Sequence, residues 1–76
     1  MEIALNKLQK GMRSVVTRID SPEPLKCRLR AYGLVEGTEV ALHYKSPDGG
    51  VTALEFRGTI VAMRTRELRK IRVLLL

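Results

Sequence analysis

Tryptophan is missing from this sequence, and cysteine, histidine and phenylalanine each occur once. A lone cysteine, Cys27, cannot build a disulfide framework, so the fold has to rest on packing alone, and it fits a reducing compartment. No Cys/His/Asp/Glu cluster supplies the three or four ligands of a tight metal centre. Long apolar runs are missing too. No segment approaches the roughly 18 apolar residues that a membrane span requires; 58–63 and 73–76 are the longest uncharged apolar stretches. The first residues alternate apolar and polar without the sustained run of a secretory signal. The expectation is a soluble, cytoplasmic protein. Acidic residues are few: eight Asp and Glu stand against fourteen Lys and Arg, a net charge of +6. A chain of 76 residues makes one domain, 1–76. At that size only about 60% of the unfolded chain's surface is buried on folding, so the core must be compact.

What the sequence does contain is organised around Leu25–Val40, LKCRLRAYGLVEGTEV. Leu25, Leu29 and Tyr32 recur at helical spacing and predict one inward face, with Lys26, Arg28 and Arg30 on the wetter side. Gly33 falls where a helix should stop, because glycine adopts the left-handed conformation without a Cβ clash. With Gly33 just past the end, Leu29 and Leu34 become the apolar pair that closes a Schellman ending. Glu36 and Gly37 then form a turn.

The flanking segments read as sheet. Leu5 and Leu8, followed by Gly11, suit one tight turn before a strand over 14–19. Ser21 or the prolines after it open a helix over about 24–32. From Thr38 to Lys45, Val40, Leu42 and Tyr44 alternate with Glu39, Ala41, His43 and Lys45, predicting two opposite faces. Ser46–Gly50 is a turn, and Val51–Arg57 returns with Leu54 and Phe56 inward. Gly58 predicts a type II′ hairpin turn into a strand over 59–64. Thr65 caps a short helical turn near 66–70, and 71–74 forms a last strand. About five short strands, one helix and turns at regular spacing predict a mainly β fold, a small barrel that leaves no open edge.

Chemistry is thin. His43 falls on the polar strand face, and nothing places it beside Cys27 as a base for a nucleophile. The carboxylates are scattered without the pairing that acid/base catalysis needs, and no phosphate-binding glycine loop precedes a lysine. Glu36, Glu39 and His43 are the weak candidates for a divalent metal. Carboxylate and imidazole suit ferrous iron, yet Glu39 and His43 lie about 13 Å apart at strand rise. The stretch from Arg57 to Arg72 carries Arg57, Arg64, Arg66, Arg69, Lys70 and Arg72 against Glu67 alone. Such a block attracts an acidic partner, a phosphate backbone or an anionic surface, or else forms a solvated edge. Single-stranded nucleic acid is usually held on exposed aromatics. Tyr32, Tyr44 and Phe56 all fall on predicted inward faces, so no nucleic-acid partner is expected.

Several motifs occur together in order: Leu5-x-x-Leu8-x-x-Gly11, Val15 and Ile19, Arg28-Leu29-x-x-x-Gly33-Leu34-x-x-Gly37-Thr38-x-Val40, Pro47 before a glycine turn, Arg57-Gly58, Val61-Ala62-Met63-Arg64 and Ile71-x-Val73. Together they resemble the ferrous iron transport protein A (FeoA) domain over nearly the whole chain. The resemblance implies an SH3-like β-barrel with an inserted helix, in which Leu29, Gly33, Leu34, Gly37 and Gly58 are structural positions. It implies a non-enzymatic accessory protein that supports a membrane ferrous-iron permease carrying a GTP-binding domain. Similar barrels end metal-dependent transcription repressors, which keeps a weak metal-sensing module as an alternative and a small nucleic-acid-binding barrel as another. No resident cofactor is expected, and ferrous iron lacks a ligand cluster. Tyr32 replaces the family's usual methionine and Arg30 a common leucine. The partner-binding surface expected here is basic: Arg28, Arg30, Arg57, Arg64 and Arg66. Leu74–Leu76 either covers the barrel's end or forms a contact between copies of the chain.

Overall fold

The structure, a computed structural model describing residues 1–76, ends its one α-helix, α1 (Glu23–Tyr32), at Gly33, whose φ of 92° and ψ of 11° are left-handed. The Gly33 N–H donates to Arg30 O at 3.0 Å and the Leu34 N–H to Leu29 O at 2.9 Å. This is the double closure of a Schellman ending, and Leu29 and Leu34 are both fully buried beside it. The following residues are fastened to the sheet. Thr38 Oγ1 donates to Gly33 O at 3.1 Å and accepts the Val35 N–H at 3.2 Å. The Gly37 N–H donates to Val16 O at 2.8 Å, and the Val16 N–H to Thr38 O at 2.9 Å. The helix exit thus becomes part of the strand ladder.

Six strands make one antiparallel sheet: β1 (Glu2–Ala4), β2 (Arg13–Ile19), β3 (Glu39–Lys45), β4 (Val51–Phe56), β5 (Thr59–Arg64) and β6 (Ile71–Leu75), in the order β1-β6-β2-β3-β4-β5. The sixth strand relative to expectation is β1, three residues that pair with the chain's last strand across Ile3 and Val73. Such a partner is invisible in local pattern. A 3₁₀ turn at Leu5–Lys7 follows, and it buries Leu5 and Leu8 together as their spacing predicts. The sheet coils into an SH3-like barrel, but its edge strands β1 and β5 do not pair with each other. The edges are therefore not abolished by closure; the two 3₁₀ turns, Leu5–Lys7 and Thr65–Leu68, touch across the gap. Fourteen buried apolar side chains form a single cluster, with Leu5, Leu8, Leu29, Leu34 and Leu68 added to the strand residues.

Two β-bulges set which side chains face in. In the β2–β6 pair, Val16 meets Val73 but Arg18 meets Arg72, so Thr17 is an extra residue. In the β3–β4 pair, Leu42 meets Leu54 but Tyr44 meets Ala53, leaving His43 extra. A bulge re-phases the strand beyond it. Val40 and Leu42 point inward as expected, whereas Tyr44 turns out to 53% exposure. Lys45 takes the inward register opposite Thr52 and donates from Nζ to Asn6 O at 3.0 Å.

Other expectations need correction. Helix α1 starts at Glu23 with Pro22 at its N-cap, and no side chain caps it; the Ser21 hydroxyl is buried without a partner. The turn after β5 is Thr65–Leu68, with Arg64 and not Thr65 at its N-cap, and Thr65 Oγ1 bonds Thr52 Oγ1 at 2.7 Å. The β4–β5 hairpin pairs Phe56 with Thr59 and turns through Arg57 (φ 53°) and Gly58 (φ 75°), both positive. That is a type I′ turn, not II′. At the chain's end Leu75 packs against the core, while Leu74 and Leu76 are 40% and 71% exposed.

A Cβ on Gly33 would come within 2.9 Å of Arg57 Cδ, a flexible side chain that can shift, so the positive φ is what opposes a substitution. Gly33→Ala is expected to destabilise the fold by about 1–2 kcal/mol from the left-handed conformation alone. Leu29→Ala is expected to cost about 2–5 kcal/mol. Urea denaturation of both variants checks this, and midpoints equal to wild type would contradict the account of the helix stop.

Candidate functional interface

The structure separates the five arginines that the sequence singles out. Arg28 lies on α1 and Arg64 at the end of β5, and they flank one open depression of about 480 Å³ with Tyr32, Val51, Met63 and Glu67. Arg64 and Arg66 also border the neighbouring hollow over Asp48–Gly50. Arg30 lies apart, beside Ile19, Lys26 and Glu36. Arg57 is on a third side, in a depression with Arg13, Glu39 and Glu55. Arg28, Arg64 and Arg66 are thus one neighbourhood, and Arg30 and Arg57 belong to others.

Ion pairing divides them further. Arg28 Nη2 reaches both oxygens of Glu67, at 3.1 and 3.3 Å, and so ties α1 to the turn after β5. Glu67 also accepts the Arg64 N–H at 3.4 Å. Arg30 holds Glu23 at 3.4 Å, one face of the helix being shared two turns apart. Arg57, Arg64 and Arg66 enter no ion pair. Exposed pairs of this kind contribute little stability; Arg64 stays as uncompensated charge beside Tyr32, and Arg66 in the adjoining hollow.

Tyr32, expected on the inward face of the helix, stands outward. It is 45% exposed, as Tyr44 is at 53%, and only Phe56 is buried as predicted. At 3.6 residues per turn, Tyr32 lies about 40° from Arg28 and about 60° from Leu29. An outward Arg28 was therefore the signal that Tyr32 stands at the border of the wet face. The aromatic argument against nucleic acid fails for these two tyrosines. Even so, Tyr32 is the single aromatic in the depression it lines, and strand binding uses successive stacking platforms.

No group of three or more His, Cys, Asp or Glu side chains is placed to share a metal ion. Of the weak candidates, Glu39 is paired with Arg13, and Glu36 and His43 are exposed, His43 at the bulge of β3. Cys27 is an exposed thiol on α1. No helix is long and apolar enough to cross a membrane.

The loop under Arg64 and Arg66 is held by a carboxylate. Ser46 Oγ donates to Asp48 Oδ1 at 2.6 Å and the Gly50 N–H donates to the same oxygen at 2.9 Å. Gly50 O in turn accepts the Thr65 N–H at 3.0 Å, fixing the loop against the start of the turn. The Ser46 hydroxyl first, then the Gly50 N–H, holds the Asp48 carboxyl below its ordinary range. Across the barrel, Thr17 Oγ1 donates to Glu2 Oε2 at 2.7 Å and, with help from Arg72, lowers Glu2 in the same way.

The architecture defines a class first: a small SH3-like barrel with a helix inserted between its second and third strands. A family model described as the FeoA domain matches residues 3–75. The chain belongs to the FeoA domain family. It is similar to a FeoA-like protein from Clostridium acetobutylicum, with 29% identity, TM-score 0.88, and coverage of 99% of this chain and 87% of that one. It is also similar to the FeoA of Stenotrophomonas maltophilia, solved with zinc and described as a procaryotic SH3 domain protein, with 28% identity, TM-score 0.78, and coverage of 96% and 88%. A manganese-dependent transcriptional repressor shares the fold, with TM-score 0.90 over 99% of this chain and 41% of that one, at 16% identity. No curated relative matches the sequence.

The lowered carboxylates give a signed pH dependence. A depressed group contributes stability that is present above its unfolded-state value and is lost as pH falls through the lower folded one. For Asp48 and Glu2 that loss lies below the ordinary carboxylate range of about 3.9–4.3. Carbon-detected titration of the Asp48 carboxyl should show a midpoint that Ser46→Ala moves upward. A midpoint indifferent to that substitution would remove the hydroxyl as the cause.

Proposed function

We propose that this protein is a cytoplasmic accessory component of a ferrous-iron uptake system, acting by contact with the GTP-binding membrane permease and not by catalysis. The family match over residues 3–75 carries this reading. The exposed side chains agree with a binding role. The chain offers no cluster of three or more metal ligands, and its thiol and its imidazole are both exposed. A docking surface needs charge that is not already neutralised within the protein. Arg64 and Arg66 supply it, with Arg28 fixed beside them by Glu67 and Tyr32 and Val51 giving an apolar floor. Aromatic and arginine side chains are the types that dominate binding energy at interfaces. The complementary surface on the partner is acidic. Arg30 and Arg57, on other sides of the barrel, stand outside this contact.

Binding of the permease's cytoplasmic domain, measured by pull-down and calorimetry, tests the reading. Wild-type protein is expected to bind, and Arg64→Glu/Arg66→Glu is expected to weaken binding at least tenfold while Arg30→Glu leaves it unchanged. Equal binding by the double variant would rule out this surface. Absence of wild-type binding would rule out the partner.

A further inference from the structure

Of the two strands at the sheet's edges, β1 is three residues long and carries Glu2, whereas β5 runs for six residues with no proline, no bulge and no charge before Arg64. Shortness, bulges and edge charges are the devices that usually keep an edge from pairing with another chain. Over Thr59–Met63, β5 has none of them. We propose that β5 accepts an extended acidic segment of a partner protein as an added strand. The proposal rests on the reading of Arg64 and Arg66 as docking charge and adds the manner of docking.

The hydrogen-bond phase of β5 leaves a row of groups for such a strand. A two-residue type I′ turn makes Phe56 and Thr59 a hydrogen-bonded pair, and antiparallel pairs alternate from there. Thr59, Val61 and Met63 therefore direct their backbone groups to β4. The Thr65 N–H, donating to Gly50 O at 3.0 Å, continues the same phase past the strand's end. Ile60 and Ala62 direct their N–H and C=O groups to the other side. There β5 has no strand neighbour, and no bond outside the ladders takes up a backbone group of Ile60 or Ala62. The elements that pack closely along β5 are β4 and the turn Thr65–Leu68. At Arg64 the row ends, because Glu67 Oε1 accepts that N–H at 3.4 Å. Alternate donors and acceptors in line are what an extended backbone satisfies.

The surroundings define what the segment carries. Ile60 and Ala62 are exposed, and the open depression that takes in Ala62 also takes in Tyr32, Val51 and Met63. Apolar side chains at alternate positions of the segment suit that lining. Arg64 and Arg66 at one end of β5 and Arg57 at the other enter no ion pair, so acidic residues suit both ends of the segment. Glu55, across from Ile60, lies one strand further in, and Glu67 is already held by Arg28. A second copy of the chain would bring +6 against +6, which opposes pairing of two β5 edges.

The probe is the acetylated, amidated octapeptide Asp-Asp-Val-Thr-Val-Thr-Asp-Asp, titrated into the ¹⁵N-labelled protein. Saturable binding is expected, with hydrogen exchange slowed at the Ile60 and Ala62 amides. Valines opposite Ile60 and Ala62 turn their own N–H groups to β5. Methylating both valine nitrogens should therefore raise the dissociation constant about tenfold or more, and methylating the threonine nitrogens should leave it within about twofold. Ala62→Pro removes an edge N–H that the β4 ladder does not use and should abolish binding, with thermal unfolding showing a folded protein. Where that variant does not fold, the methylated peptides carry the test. Lysines in place of the aspartates should weaken binding about tenfold. Binding that does not saturate, that valine methylation or lysine leaves unchanged, or that leaves exchange at Ile60 and Ala62 unaltered would overturn the added strand. A wild-type dimer that Ala62→Pro dissolves would overturn it too, giving the edge to a second copy. A permease domain that binds where the octapeptide does not removes this mode of docking and keeps the partner. Octapeptide binding without permease binding removes the partner alone.

Discussion

The left-handed stop at Gly33 and the backbone bonds that follow it fix the helix to the barrel. Five residues later the chain is already in the ladder, because Gly37 donates to Val16 and Thr38 accepts from Val16 while its hydroxyl holds Gly33. The helix therefore has almost no freedom to rotate against the sheet. Leu29 and Leu34 are driven into the core on either side of the stop. That leaves Arg28 and Tyr32 facing the β5 side, within reach of Glu67 and Arg64. Arg57 closes the arrangement from the hairpin by passing over the bare Cα of Gly33. A small domain with one core and no crosslinks depends on such local ties, since it has little buried area to spare.

Bulges make the second set of decisions. A sheet of six short strands coils only if its strands bend, and an extra residue in one strand bends it while raising the local twist. Thr17 and His43 are those residues. Each has a further consequence. Thr17, out of the ladder's regular phase, reaches Glu2 on β1. His43 turns Tyr44 outward and sends Lys45 toward the backbone of the first 3₁₀ turn. The polar character of both positions is compatible with this placement but does not announce it.

Charge is distributed by the same geometry. Fourteen basic residues in 76 would say little if all were solvated alike. Pairing sorts them: Arg13, Arg18, Arg28, Arg30 and Arg72 hold carboxylates, while Arg64, Arg66, Arg69 and Lys70 do not. Four of the unpaired residues lie in one span, 64–70, whose two sides border different hollows. One short segment thus presents uncompensated positive charge on two sides of the barrel.

The sequence by itself determined the helix and its end, the strand positions from 13 to 75, the family and most of the core. These follow from local periodicity and from glycine's access to positive φ, which neighbours in the chain suffice to specify. The tertiary structure decided the rest. Only a partner strand makes Glu2–Ala4 a strand, and only register against β4 reveals His43 as extra and Tyr44 as outward. Only the approach of α1 to the 65–68 turn pairs Arg28 with Glu67, and so settles which arginines remain free. The helix stop keeps its leading place, with one change. Tyr32, read from spacing as part of the buried face, stands at its border, because the stop fixes the helix's rotation and rotation is a property of the packed whole.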